Sequence, residues 1–487
     1  MRRSVGALLV ALHVWVCCML YVFYSMYMTP ESMPSAPALR PVWAIDDFEC
    51  IGWQSSGSCG DERDQRNACT EDLKLPAMGA CLVGNRSSSA ALTAMRSTCT
   101  STKHYVQYSC RDARAFMDFG PLSERYVHTP TASIFTQPWY ALEGERGIVM
   151  VIHHASLVSA FANIRSLRAL GCTLPIELWY RDDETAPTDP ILTHLLAHDP
   201  LLSLRRIQDP RATGFYTKPY ALFYSAFQHV LLLDTDNFAV ADPTYLFELP
   251  AYKVHGTVFW PDFWQPTNTI FNVHNESLLW ELLDLPPVEM FEQESGQVLV
   301  DRRRHERALH MLMFYAIERP PLLERLRLVW GDKDLYRLAW LKTTSSFRMV
   351  ARPPGALGVH HPQYPRFCGL SMVQYDDSGR EVFFHRNTRK LSRDPVANAR
   401  YQWTHLQAFR PTGRPTRDYR PASWDGTEQY GESACFGVEL YMHAKLEDGS
   451  PAYDVVAIKG TSFAHVEATL LGYARIALEL AAPATHA

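Results

Sequence analysis

From Gly147 to Leu233 the chain alternates two hydrophobic periods, and this alternation constrains the fold more than any other feature. Ile148 to Ile152 is a short apolar, β-rich run, after which Val158, Phe161, Ile164, Leu167 and Leu170 recur at three-residue steps up to Gly171. Pro175 to Tyr180 reads as the next strand, Ile191 to Leu196 as a helix, Leu202 to Ile207 as a strand, Lys218 to His229 as a helix and Val230 to Leu233 as a strand. Strands and helices taken in turn give an α/β fold, a parallel sheet with helices on both faces. Ligands of such sheets bind beyond the carboxyl ends of the strands, so chemistry is to be sought just after Leu233.

The residues there are Asp234-Thr235-Asp236-Asn237. In extended backbone positions i and i+2 point the same way, so Asp234 and Asp236 can offer two carboxylates to one hard cation. A divalent ion held so can bridge the phosphates of a bound diphosphate and stabilise a departing group. An EF-hand is excluded. Counted from Asp234, Phe238 stands where an oxygen ligand is needed, Ala239 replaces the turn glycine and Tyr245 the bidentate glutamate. A bare pair of this kind can also be a polar turn, but its place after an apolar strand favours the metal reading. A third ligand could come from His360, His361 or His385, and His385, which follows the apolar run Val382-Phe383-Phe384, is preferred.

Further candidates come from other segments. Lys218 can reach the phosphates of a bound ligand as a point charge or lie solvated at a helix start. Val254 to Phe259 reads as a strand, which lets Asp262 bond a ligand hydroxyl and lets Trp260 either stack on a ligand ring or pack in the core. Glu294, Ser295 and Gly296 read as the lead-in to an amphipathic helix from Gln297 to Ile317, where a glycine permits close approach and the helix N-terminus favours an anion. Arg302-Arg303-Arg304-His305, flanked by Asp301 and Glu306, reads as a solvated helix face with one arginine able to turn toward phosphate. Asp332 and Asp334, in Gly331-Asp332-Lys333-Asp334 ahead of a helix over Leu335 to Leu341, either cap that helix or bind ligand hydroxyls. The candidate catalytic carboxylates are therefore Glu294, Asp262 and Asp332. The candidate substrate contacts are Lys218, Trp260, Ser295, Gly296 and Asp334, and the candidate metal set is Asp234, Asp236 and His385.

The two ends of the 487-residue chain add a compartment. Arg2 and Arg3 precede an uncharged run from Ser4 to Thr29, and about 20 apolar residues suffice to span a bilayer. The run is longer than the apolar core of a cleaved signal peptide, so residues 5–28 are expected to form a signal anchor with 1–4 cytoplasmic and the rest luminal. Residues 29–45 are proline-rich and read as a stem. Cys50, Cys59, Cys69, Cys81, Cys99 and Cys110 make 46–145 an expected disulfide-stapled cap of open connectivity, and Cys172, Cys368 and Cys435 leave an odd count. Residues 146–400 are the expected catalytic domain and 401–487 a C-terminal extension with an amphipathic stretch from Phe463 to Leu480. Asn85-Arg86-Ser87 and Asn275-Glu276-Ser277 are glycosylation sequons. With 47% hydrophobic and 20% charged residues the chain is not a disordered tail, and a net charge of −5 gives no basic excess for nucleic acid.

The blocks Gly214-Phe215-Tyr216-Thr217-Lys218-Pro219-Tyr220-Ala221-Leu222, Leu231-Leu232-Leu233-Asp234-Thr235-Asp236-Asn237 and Asp242-Pro243-Thr244-Tyr245-Leu246-Phe247 resemble the fungal Golgi α-mannosyltransferases of cell-wall mannan synthesis. Phe259-Trp260-Pro261-Asp262, Gln293-Glu294-Ser295-Gly296-Gln297, Asp301-Arg302-Arg303-Arg304-His305 and Gly331-Asp332-Lys333-Asp334 follow in the same order, over roughly 147–392. The resemblance implies a single-pass type II protein of the Golgi membrane with a GT-A-like, Rossmann-type domain on a mixed sheet. It further implies a metal-dependent transferase that uses GDP-mannose and Mn2+, retains the α configuration and acts on a mannose-containing glycan acceptor. His385 matches the family's C-terminal histidine block. A UDP-hexose transferase on the same fold, and a non-catalytic luminal carbohydrate-binding protein, are the rival readings. The second has no need of Asp234 and Asp236.

Overall fold

The computed structural model describes residues 48–60, 68–74, 76–86, 88–104, 106–128, 142–318, 322–361, 363–398, 403–412, 415–432 and 434–482. The expected tail, anchor and stem lie outside these residues. Among the described residues no helix is long and apolar enough to cross a membrane.

A seven-stranded sheet carries the fold, in the order Arg348–Met349, Thr257–Pro261, Gln293–Asp301, Phe227–Leu233, Leu142–Val151, Ile176–Tyr180, Leu202–Arg206. The last four of these are mutually parallel, as the alternation requires. Gln293–Asp301 runs antiparallel between Phe227–Leu233 and Thr257–Pro261, which makes the sheet mixed. Successive residues of Phe227–Leu233 feed opposite faces. Val230 and Leu232 enter a core with Phe119, Tyr315 and Leu338, while Leu231 and Leu233 enter one with Phe161, Ile164, Phe383 and Leu470. Each such fully buried leucine or valine contributes about 2 kcal/mol by leaving water.

Four expectations are corrected here. The helix expected over Lys218 to His229 stops early, as Thr217–Tyr224, and the following strand is Phe227–Leu233. The cause is Arg302, fully buried, whose guanidinium donates to the carbonyls of Phe223, Ser225 and Phe227 and so satisfies the acceptors freed where the helix ends. Arg302 is therefore no solvated helix face, and 302–305 is a turn. Val254 belongs to the helix Pro250–His255, which Gly256 ends at φ 72°, and the strand begins at Thr257. Finally, Glu294, Ser295 and Gly296 lie in the strand Gln293–Asp301, not ahead of a helix. The helix is Glu306–Met313, continued by the π-helical segment Phe314–Glu318.

A second, wholly antiparallel sheet was not anticipated. Its main path runs Asn237–Ala239, Glu381–His385, Phe367–Tyr375, Gly355–His360, His405–Phe409, Tyr453–Ala457, and Cys435–Gly437 pairs onto it with Ala422–Trp424. The Cys368–Cys435 disulfide ties that pairing. Residues beyond 400 thus supply strands of this sheet, and their amphipathic stretch is the helix Val466–Ala481 beside Leu157–Ala169.

The cysteine-rich region contains a three-stranded sheet, Phe48–Ser55, Gly79–Asn85 and Ser88–Ser97, with the bonds Cys50–Cys69, Cys59–Cys99 and Cys81–Cys110. Cys172 is free and buried. The cap is joined to the body by backbone, through Leu278 N–H to Ser101 O at 3.0 Å, and by the Arg96 N–H to the Glu281 carboxylate at 2.9 Å.

Candidate active site

The strand Phe227–Leu233 of the first sheet ends one residue before Asp234, and Asn237 opens a strand of the second. Asp234, Thr235 and Asp236 are therefore the crossing between two sheets, a place where backbone groups lose ladder partners. They find others. Asn163 Nδ2, wholly buried, donates to the carbonyls of Asp234, Thr235 and Asn237 at 3.2, 3.2 and 2.9 Å. Ser159 Oγ donates to Thr235 O at 3.0 Å, and Asp234 N–H donates to Gly296 O at 2.9 Å.

The same crossing delivers His385. Asn237 and His385 face one another across the antiparallel pair, so the imidazole lies beside Asp236, with Nε2 3.3 Å from Oδ1. Asp234, Asp236 and His385 each offer one ligand atom, and these atoms lie within 4.8 Å of one another. Gly296 leaves the room: a Cβ there would stand 2.9 Å from His385 Cε1 and Nδ1.

Charge around this group is compensated on all sides. Burial works to lower the His385 pKa, but Asp236, Glu294 and Asp234 outweigh it and push it up to about 9. Burial would raise Asp236, yet His385 and Lys390, whose Nζ is 2.5 Å from Oδ2, hold its carboxyl below the usual range. Lys218 is buried, and its ammonium lies 3.2 Å from Asp234 and 3.0 Å from Asp332 while donating to Ser295 O and Oγ at 3.2 and 3.1 Å. Tyr336 OH also donates to Asp332, at 2.9 Å. Burial pushes Asp332 up to about 6 even against Lys218.

A second charged cluster adjoins the first through Glu294. The Glu294 Oε1 accepts the Gly296 N–H at 2.6 Å and lies 3.6 Å from His385 Nδ1. Burial chiefly, with Glu294 and Glu292 adding to it, raises Asp262 to about 7 in spite of Lys333, whose Nζ is 3.2 Å from Asp262 Oδ2. Lys333 also pairs with the buried Glu292 and lies 3.4 Å from Asp334, whose other oxygen takes Arg337 at 2.6 Å and the Gln293 N–H at 2.9 Å.

The sequence candidates therefore divide. Asp234, Asp236, His385, Glu294, Ser295, Gly296, Lys218 and Asp332 form one contiguous cluster, with Asp262 and Asp334 in the adjoining one. Lys218 is neither solvated nor free to reach outward, because its donors are spent inside the protein. Asp334 makes no side-chain cap on the helix Leu335–Lys342. Trp260 is in the core: fully buried, it donates through Nε1 to Tyr375 O at 2.9 Å and packs edge-on to Phe383. His360 bonds Tyr441 OH at 2.7 Å, apart from the carboxylate pair. Three participants escaped the sequence reading. Lys333 stood inside a block already singled out, between two aspartates, whereas Asn163 and Lys390 had no local signal.

Residues 145–376 match a family model described as mannosyltransferase. The α-1,2-mannosyltransferase MNN22 of Candida albicans is 27% identical over 277 residues, 47% of this chain and 46% of that protein. The α-1,2-mannosyltransferase MNN2 of Saccharomyces cerevisiae is 27% identical over 265 residues, 45% of this chain and 44% of that protein. The chain thus spans a little under half the length of these curated relatives. Among solved structures, the mannosyltransferase Ktr4p of S. cerevisiae in complex with GDP overlaps 48% of this chain and 76% of its own at 10% identity, with a TM-score of 0.30. The galactosyltransferase LgtC with donor and acceptor sugar analogs overlaps 42% and 73% at 13% identity, with a TM-score of 0.30. Overlaps so loose bear no weight in the reading of the site. The matched segment 145–376 holds the carboxylate pair and both buried lysines, and it overlaps the ordered sequence blocks that resemble the fungal α-mannosyltransferases.

Proposed function

We propose that the chain is a metal-dependent glycosyltransferase that moves mannose from GDP-mannose to a hydroxyl of a mannose-containing glycan, with retention of the α configuration. The observation that carries this is the convergence of Asp234, Asp236 and His385, two carboxylates and an imidazole, at the carboxyl end of a central strand. That donor set suits a divalent cation such as Mn2+. When bound, the ion supplies positive charge for the diphosphate that departs.

The protein's own residues have separable parts in this reading. Lys218 fixes the Asp234 carboxylate and Ser295, and so acts as a positioning residue. Lys390 and Asp236 form a pair at the partly open edge of the cluster, from which the ammonium can turn to a phosphate when an ion takes the carboxylate. Asp332 and Asp334 are each bound up with Lys218, Tyr336, Lys333 or Arg337. Glu294 is left as the candidate nucleophile of a double displacement, and Asp262, although paired with Lys333, as a hydroxyl contact. A same-face displacement would instead use Glu294 only to steady the charge that develops at the anomeric carbon. The apolar run of 5–28 and the four disulfides support a type II protein of the secretory pathway, with the Golgi membrane as its seat.

The test is transfer from a panel of GDP- and UDP-sugars to α-mannobiose, with the full chain and manganese. Turnover of GDP-mannose alone is expected. Turnover of a UDP-hexose alone would keep the metal cluster and overturn the donor.

A further inference from the structure

Outside the charged clusters the most unusual surface lies directly over segment 330–333. Among the described tryptophans Trp330 alone is more than half exposed, at 57%, and Phe215 is 55% exposed. Large rings left in water together mark a surface kept for a partner more often than a packing accident. Their places are specific. Phe215 sits in the turn Gly214–Tyr216 that opens the helix bearing Lys218, and its ring covers Gly331, where a Cβ would stand 2.5 Å from the ring. Trp330 is tilted against Phe271 at 5.6 Å between centroids. Phe271 in turn receives the Lys333 ammonium 4.3 Å from its centroid, and on the cap side the Lys103 ammonium at 4.9 Å.

The rings are thus linked to both charged clusters by single contacts. Gly331 under Phe215 is followed by Asp332, which holds Lys218 and through it Asp234. Phe271 covers Lys333, which holds Asp262. We propose that Phe215, Trp330 and Phe271 form the platform for the acceptor glycan, a hexose whose C–H face lies on the rings, with Lys103 of the disulfide-stapled cap at its border. This rests on the transferase reading above and names where its second substrate sits.

The chemistry favours a sugar over another occupant. A hexose has an apolar face of axial C–H bonds and a rim of hydroxyls, which matches flat rings bordered by ammonium groups. The donor half of the site is rich in compensated charge, suited to a diphosphate, whereas the rim offers ring faces beside the Lys103 and Lys333 ammonium groups that lie over Phe271. The cap lies outside the segment matched by the mannosyltransferase family, so a cap residue at the border would let acceptor choice vary while the transfer chemistry stays fixed.

Binding is tested apart from catalysis, on the full chain, by titrating α-mannobiose and following saturation-transfer NMR signals. Trp330→Ala and Phe215→Ala are each expected to weaken binding about tenfold, the scale of one lost ring contact, and Trp330→Phe to recover most of it. In steady state Trp330→Ala should raise the acceptor KM by the same factor and leave hydrolysis of GDP-mannose in the absence of acceptor unchanged. Equal affinity in wild type and both variants, no binding of α-mannobiose by wild type, or a parallel fall in donor hydrolysis would each overturn the platform. Failure of wild type to turn over GDP-mannose, with mannobiose bound on the rings, would overturn the donor assignment and keep the platform.

Discussion

His385 Nε2 stands 3.3 Å from Asp236 Oδ1 because Asn237 and His385 are register partners across one short antiparallel pair. Two residues far apart in sequence are held together by backbone hydrogen bonds, and the imidazole is oriented before any ion arrives. Such preorganisation spares a metal site the cost of gathering its ligands.

Loss of Asp234 should silence the enzyme at a modest cost in stability. Asp234→Asn is expected to lower the manganese-dependent rate at least a hundredfold, since one of two carboxylates is gone. Lys218 keeps Asp332 at 3.0 Å as a counter-charge, so the melting temperature should fall by only a few degrees. Rates and calorimetry on the same preparation check both halves, and a rate within tenfold of wild type would remove Asp234 from the metal site.

The space beside Gly296 gives a sharper test of His385. Gly296→Ala would put a methyl 2.9 Å from the ring, against an imidazole that is buried and cannot easily move away. This variant and His385→Ala should both raise the manganese concentration for half-maximal activity by about 10- to 100-fold, the usual effect of disturbing a ligand or its support. An unchanged activation curve in both would leave the third ligand position vacant.

Asp262 sets a pH dependence whose sign is definite. Its pKa is raised to about 7 from an ordinary 3.8, so between those values the folded chain holds a proton that the unfolded chain releases. The stability from this group is fully present below about pH 4 and is lost as pH rises through about 7. Relative to Asp262→Asn, wild type should therefore lose on the order of a few kcal/mol between pH 4 and pH 7.5, read from urea midpoints. A constant difference across that range would show that Asp262 titrates normally.

Lys333 should behave as a structural keystone. Its ammonium serves Asp262, Glu292 and Asp334, all buried, and Lys333→Met would strand Asp262 and Glu292 without their cation while Asp334 keeps Arg337. Removing one partner of a buried ionic group costs about 3 to 5 kcal/mol, so a large drop in urea midpoint is expected. A loss under 1 kcal/mol would mean that the cluster is better hydrated than its burial implies.

What the sequence made legible follows physical lines. The parallel strands and their helices were readable because their periods differ, and Asp234 with Asp236 because they follow a strand end at a spacing of two. The strand Gln293–Asp301 is not legible as one because it is central and buried on both faces, and such a run lacks the alternation that marks a half-buried strand. The second sheet was missed for the same reason: Phe367–Tyr375 is buried at every position. Asn163 and Lys390 act through contacts across the fold, to which no local pattern points. Arg302 shows the reverse error, since a charge run that looks solvated on a helix supplied one residue to the interior.

The central claim is that Asp234, Asp236 and His385 hold the ion that mannosyl transfer needs. The most direct measurement is the initial rate of transfer from GDP-mannose to α-mannobiose by the full chain, first stripped with a chelator and then titrated with manganese, beside Asp236→Asn. The rate should vanish on stripping and return on titration in wild type, and stay near zero in the variant at every manganese concentration. Transfer that persists after stripping, or that returns equally in Asp236→Asn, would contradict the assignment.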